Sequence, residues 1–212
     1  ISPKLAQFGI YRLLPGRYLP RKWKEKTVAK FYEYYQKKTG ETVFETGLLG
    51  TKDNPYQKWL NRSAAYYRIK HRLRMVNMYY QAELKNLLYV SSANNTEWLT
   101  GFFVKWGIDG VGDVMPLLPF YKTQVWKLAR ALEIPKNIAE KTPSPDIMPG
   151  ITDEYAMGIF YEKLDLILVG LEQKMSSSEI VKETEVDEKT VEYVKELNKR
   201  SGHMREVYVP EV

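Results

Sequence analysis

Residues 91–116 read SSANNTEWLTGFFVKWGIDGVGDVMP and follow directly on NLLYV at 86–90. A short apolar run bounded by polar residues predicts a buried strand over NLLYVSS. Asn95 or Thr96 then reads as the N-cap of a helix over TEWLTGFFVKWG, closed by Gly107. DVMPL at 113–117 reads as a second short strand. Strand, polar turn and helix in that order predict a parallel α/β sheet with flanking helices. Ligands of such sheets sit beyond the carboxyl ends of the strands, where helix N-termini point. The stretch places charges there: Glu97 in the first helical turn, then Lys105, Asp109 and Asp113 among glycines. Glu97, Gly101 and Lys105 recur at four-residue spacing, which predicts a shared helix face. The glycines are expected to let backbone approach a ligand or a packed helix.

Outward from this stretch, a long helix is predicted from about Gln57 to Lys85, with an apolar stripe of Ile69, Leu73, Val76, Tyr80 and Leu84. KEKTVAKFYEYYQKKTG predicts a helix ending at Gly40, and ETVFETGLLGTKDNPY a loop. The first 22 residues read as a connection with a short helix near Lys4–Phe8. On the C-terminal side, YKTQVWKLARALEI predicts an amphipathic helix stopped by Pro135, KTPSPDIMPGITDE a loop, and EYAMGIFYEKLDLILVGLEQK one helix. SSSE at 176–179 has capping-box form and opens a helix–turn–helix tail. Residues 1–170 are assigned to one α/β domain, with 1–56 irregular or helical, and 171–212 to its helical extension.

The chain has 212 residues, 44% of them hydrophobic, enough for a sizeable core. It contains no Cys, which excludes disulfides, thiolate metal sites and a Cys nucleophile within it. No apolar run has the length of a membrane helix, and the expected compartment is the cytoplasm. The net charge of +6 suits a phosphate-bearing partner, although charge alone favours a solvated basic surface.

Several side chains could carry chemistry. Ser91 and Ser92 end the first strand, within reach of a nucleotide. Glu97 could hold Mg²⁺ together with substrate phosphates, or merely complement its helix dipole. Arg68 and Arg72 share a face of the long helix, where guanidinium groups could pair with carboxylate or phosphate. Lys122 opens a helix at a phosphate-contacting position. His71 and His203 lack metal-ligand spacing, and no nucleophilic triad is visible.

Taken in order, HRLRM, the 91–116 stretch, YKTQV, KTPSPDIMPGITDE and YEKLDLIL resemble the ammonia-dependent NAD⁺ synthetase family, from about Arg72 to Gly170 and more weakly through GHMREVYVP. The resemblance implies a Rossmann-like sheet of the adenine-nucleotide alpha-hydrolase type. It also implies amidation of deamido-NAD⁺ by ammonia through an adenylated intermediate, with ATP as substrate and Mg²⁺ as cofactor. Site by site, it implies ATP contacts from Ser92 (usually Thr in the family), Lys122 and Ser144. Contacts to deamido-NAD⁺ are implied for Arg72, Lys105, Asp113 and His203, and a Mg²⁺ contact for Glu97. A homodimer and a separate glutaminase are the implied partners.

Three departures stand out. Met204 occupies the second place of the family's C-terminal His-Lys pair, with Arg205 as the nearest cation. GIDGVGD is one residue longer than the commoner glycine segment, so Asp109 competes with Asp113 for the substrate contact. The family's Ser-Gly-Gly-x-Asp-Ser loop has no counterpart in these residues, so the chain reads as beginning after the first two strands and is not expected to complete the reaction alone. The alternatives are a non-catalytic dinucleotide-binding homologue and a GMP-synthetase-like ligase. A helix–turn–helix nucleic-acid binder is disfavoured, because Asp187, Glu188, Glu192 and Glu196 on its recognition helix would repel phosphate.

Overall fold

The computed structural model describes residues 20–49, 54–145 and 150–210. The short helix expected near Lys4–Phe8 lies outside them. The helices are α1 (Arg21–Thr39), α2 (Val43–Leu49), α3 (Gln57–Lys85), α4 (Asn95–Thr100), α5 (Lys122–Ala131), α6 (Lys136–Ala139), α7 (Asp153–Met157), α8 (Tyr161–Glu172), α9 (Ser177–Thr184) and α10 (Glu188–Arg205). They form two compact units. The first takes the described residues of Ile1–Ser63 and Thr142–Gly158; the second takes Ala64–Lys141 and those of Ile159–Val212.

In the first unit, α1 ends where Gly40 adopts φ 74° and returns its N–H to the Gln36 carbonyl. Val28, Tyr32 and Tyr35 are its buried stripe. The Tyr35 hydroxyl meets Thr46 Oγ1 at 2.7 Å. Thr46 lies on α2, a helix where the sequence predicted a loop. Its start is a capping box: Thr42 Oγ1 accepts the Glu45 N–H at 3.0 Å, and the Glu45 carboxylate accepts the Thr42 N–H at 3.3 Å. Gly158, at φ 74°, breaks the single helix predicted over 154–174 into α7 and α8. A Cβ at Gly158 would meet Thr42 Cγ2 at 2.9 Å.

The second unit is built around α8. Leu164, Ile167 and Leu168 are buried there, and Ile180 of α9 and Val191, Val194 and Leu197 of α10 complete the core. The predicted capping box at Ser176 and Glu179 starts α9. Gly170 lets α8 and α9 approach, since a Cβ there would meet Ile180 Cγ1 at 2.7 Å. On α8, one charged side chain is buried. Asp165 is 4% exposed; its Oδ1 accepts the Thr96 hydroxyl at 2.6 Å and its Oδ2 the Thr123 N–H at 2.8 Å. Burial raises its pKa, and the hydrogen bonds from Thr96 and Thr123 only partly oppose that rise.

Among the described residues the predicted parallel sheet is reduced to one parallel bridge, Val90 to Val114. The Ser91 N–H reaches the Val114 carbonyl at 3.0 Å and the Asp113 N–H the Tyr89 carbonyl at 2.9 Å. Tyr89 and Ser91 are buried, while Leu87, Leu88 and Val90 are exposed. The expected fully buried strand is therefore half-buried. Two short segments supply only one pairing edge, and a parallel sheet needs further strands and a layer on each face to extend. The stripe on α3 is exposed as well, with Leu73 at 62% and Tyr80 at 60%.

Two outcomes follow for stability. Gly170→Val overpacks the α8–α9 contact and should cost about 1–3 kcal/mol in chemical denaturation; wild-type stability would contradict this packing. The raised Asp165 pKa sets a sign. Its contribution is complete below the unfolded carboxylate value of about 4 and is lost as pH rises through the higher folded value. Melting temperatures of Asp165→Asn relative to wild type should thus shift in the variant's favour from pH 4 to pH 7, and drift the other way would contradict it.

Candidate active site

Five of the residues singled out by sequence fall into two groups on the second unit; Asp113 and Ser92 are on the same unit, and Ser144 is on the first. The first group is set by the start of α4. Asn94 is its N-cap: Asn94 Oδ1 accepts the Glu97 N–H at 3.0 Å, and Glu97 Oε2 accepts the Asn94 N–H at 3.3 Å. The cap is thus one residue before Asn95 and two before Thr96, the expected positions. The helix is also far shorter than expected. Gly101 turns into the left-handed region at φ 73° and closes it, so Gly107 plays no part in its end. Lys105 accordingly lies off the helix, and the shared face predicted for Glu97, Gly101 and Lys105 does not exist.

Glu97 instead faces Lys122, the first residue of α5. The ammonium lies 3.3 Å from Glu97 Oε1, with the two side chains only 17% and 18% exposed. Lys122 Nζ also stands 5.4 Å from the centre of the Tyr161 ring. Its backbone N–H donates to Thr96 Oγ1 at 2.8 Å. Next to it, Tyr121 donates its hydroxyl proton to Glu172 at 2.5 Å, and burial pushes this phenol well above its ordinary range, so it stays neutral.

The second group joins Arg72, Lys105 and His203. Arg72 donates through Nε and Nη2 to the Lys105 carbonyl, both at 3.3 Å. Lys105 Nζ donates to the carbonyls of His203 at 2.6 Å and Glu206 at 2.5 Å, at the C-terminal end of α10. His203 is exposed, and its Nδ1 lies 2.7 Å from the Arg200 carbonyl, which can only accept, so Nδ1 carries the proton. Met204 is buried. The Arg205 guanidinium turns back onto the Leu99 carbonyl at 3.0 Å, the Asn198 carbonyl at 3.0 Å and Ser201 Oγ at 2.7 Å.

Asp113 and Asp109 take different surroundings. The Asp113 carboxylate accepts the Tyr89 N–H at 2.7 Å, which ties it to the strand pairing. Asp109 Oδ1 lies 3.2 Å from Nδ1 of the buried His71. Tyr89 donates its hydroxyl to the Ile108 carbonyl, and burial pushes that phenol up to about 12. The glycines here bring backbone against the protein itself. A Cβ at Gly112 would meet Ser91 Cβ at 2.8 Å, and one at Gly107 would meet Val104 Cβ at 2.8 Å.

Ser92 is exposed. Ser144 belongs to the first unit, where its hydroxyl donates to the Ile151 carbonyl at 2.9 Å. Sequence reading missed Thr96 and Asp165, which join Glu97 and Lys122 through hydrogen bonds. A signal existed, because Asp165 is the only charged residue between Lys163 and Glu172. Among the described residues no group of three His, Asp or Glu side chains could hold a metal. Glu97 is a single hard oxygen donor. That fits a magnesium ion held chiefly by phosphates and water, and not a closed protein cage.

Comparison with known proteins gives this arrangement a context. The family model described as NAD synthase matches residues 29–208. The NH₃-dependent NAD⁺ synthetase of Coprothermobacter proteolyticus is 43% identical over 85% of this chain and 60% of its own length. That of Thermotoga maritima is 40% identical over 97% of this chain and 68% of its own. Among solved structures, the NMN synthetase of Francisella tularensis is similar with a TM-score of 0.59 and 30% identity, over 74% of this chain and 62% of that one. The NH₃-dependent NAD synthetase of Campylobacter jejuni is similar in fold, with a TM-score of 0.52 and 21% identity, over 80% of this chain and 61% of that one. The chain thus spans about three fifths to two thirds of the length of these relatives. A family match that takes in both charged groups and most of the sequence makes the chain a member of the NAD synthase family.

Proposed function

We propose that the protein amidates the nicotinate carboxylate of deamido-NAD⁺ with ammonia, at the expense of ATP, which is cleaved to AMP and pyrophosphate. The observation that carries this reading is the Glu97–Lys122 pair, two opposite charges held 3.3 Å apart and largely covered, in a chain of this family. Each is now the counter-ion of the other. A triphosphate with its divalent cation offers both a stronger partner: phosphate oxygens for Lys122 and a magnesium ion for Glu97.

The chemistry needs such a pair. A carboxylate resists attack by ammonia because its oxygen leaves poorly. When a carboxylate oxygen attacks the α-phosphorus of ATP, pyrophosphate departs and an acyl adenylate forms. Ammonia then adds to the carbonyl carbon, AMP leaves with the former carboxylate oxygen, and a proton is released. Lys122 stabilises the charge gathering on the phosphates. A magnesium ion on Glu97 would supply further Lewis-acid neutralisation there. In this reading Ser92 contacts ATP, while Arg72, Lys105, Asp113 and His203 contact the dinucleotide. The basic end of that second group suits its phosphates.

The exposed stripe of Leu73, Val76, Tyr80 and Leu84 on α3 supports pairing with a second copy of the chain. Ammonia comes from solution or from a separate glutaminase, and a cytoplasmic reaction fits these water-soluble substrates. A second reading changes only the substrate. The similarity to an NMN synthetase favours nicotinate mononucleotide as acceptor, with NMN as product.

One assay decides between them. The protein as encoded by its full gene is supplied with ATP, Mg²⁺, ammonium and either acceptor. The expected outcome is NAD⁺, AMP and pyrophosphate in equal amounts, with a much higher kcat/KM for deamido-NAD⁺ than for the mononucleotide; the reverse preference selects the second reading. Lys122→Met and Glu97→Gln should each lower kcat/KM by about 100-fold or more. Release of ADP, or no turnover with either acceptor, overturns the proposal. Leu73→Asp should convert a dimer to a monomer in analytical ultracentrifugation, and a monomeric wild type would refute the pairing.

A further inference from the structure

The pairing of Glu97 with Lys122 is not a contact between two free side chains. It is set by a hydrogen-bond relay one residue away on each helix. Thr96, the neighbour of Glu97, is 0% exposed, donates its hydroxyl to Asp165 Oδ1 at 2.6 Å and accepts the Lys122 N–H at 2.8 Å. Thr123, the neighbour of Lys122, donates its N–H to Asp165 Oδ2 at 2.8 Å. The two oxygens of one carboxylate therefore hold the first turns of α4 and α5.

Asp165 stands among Leu164, Ile167 and Leu168, all at most 1% exposed. An apolar residue would fill such a position at less cost, since desolvating a carboxylate is expensive even when it is paired. What an apolar residue could not do is accept from two helices at once. A fully satisfied buried network fixes one geometry.

We propose that Asp165, acting through Thr96, is a positioning residue for the triphosphate end of the site: it fixes the separation of Glu97 and Lys122 so that both meet MgATP. This rests on the reading of those two residues given above. Asp165 touches neither the nucleotide nor the reacting carboxylate. Its loss should weaken MgATP binding and leave the acceptor side, on Arg72 and Lys105, unchanged.

The test uses Asp165→Asn, which keeps the size but loses one acceptor, and Thr96→Val, which keeps the volume but loses the hydroxyl. Thr184→Val serves as a structural comparison; Thr184 is also buried, at 5% exposed, and its hydroxyl donates to the Ile180 carbonyl at 2.7 Å. In the full-gene protein, Asp165→Asn and Thr96→Val should raise the calorimetric Kd for MgATP and the KM for ATP by about tenfold or more. The KM for the acceptor should stay at its wild-type value, and Thr184→Val should move none of these constants. If Asp165→Asn does not fold, Thr96→Val decides alone. Folded variants with wild-type MgATP constants, or with ATP and acceptor constants shifted alike, overturn the inference. A wild type that forms neither NAD⁺ nor NMN overturns the functional reading and this inference with it; an active wild type beside variants with unmoved ATP constants overturns this inference alone.

Discussion

The buried carboxylate of Asp165 is the constraint on which the geometry of the Glu97–Lys122 pair depends. Its two oxygens accept from Thr96 and Thr123, and so join α8 to the first turns of α4 and α5. α8 is also the core of the unit, with Leu164 and Ile167 fully buried. Packing energy and site geometry therefore meet on one helix. Desolvation opposes the charge there and raises its pKa, while the hydrogen bonds pull the other way. Such an arrangement is costly as a source of stability, and its return is that Glu97 and Lys122 are held face to face.

A second structural theme is the use of backbone carbonyls as anchors for cations. Lys105 is held by two carbonyls at the end of α10, Arg72 by the Lys105 carbonyl, and Arg205 by carbonyls of Leu99 and Asn198. Carbonyls at a helix C-terminus have no intrahelical donors and carry partial negative charge, so they attract ammonium and guanidinium groups. The chain thereby ties its last helix to the loop after α4. Arg72, Lys105 and His203, three of the four residues that the family likeness assigns to the dinucleotide, take part in this tie.

Much of this was legible in the residues. The long helix over Gln57–Lys85, the Gly40 stop and the Ser176 capping box have local causes, and local causes are written in sequence. The ordered motifs were enough to identify the family. Other features were not readable because they depend on contacts distant in sequence or on competing local signals. Gly101 and Gly107 are both plausible helix stops, and the first one acts. Thr42 and Glu45 form a capping box that the surrounding Gly, Asp and Pro obscured. Thr96 and Asp165 are 69 residues apart, so their bond appears only once α8 packs against α4. The strand over NLLYVSS shows one bridge, because a strand's pairing is decided by its neighbours and not by its own pattern.

Adenylation of the acceptor carboxylate at the Glu97–Lys122 pair leaves a signature in the products. The most direct measurement is oxygen tracing in the full-gene protein, with the acceptor carrying ¹⁸O at both carboxylate oxygens. Mass spectrometry of the products should find one ¹⁸O in AMP for each amide formed. Label in phosphate or pyrophosphate, or unlabelled AMP beside labelled water, would contradict the account.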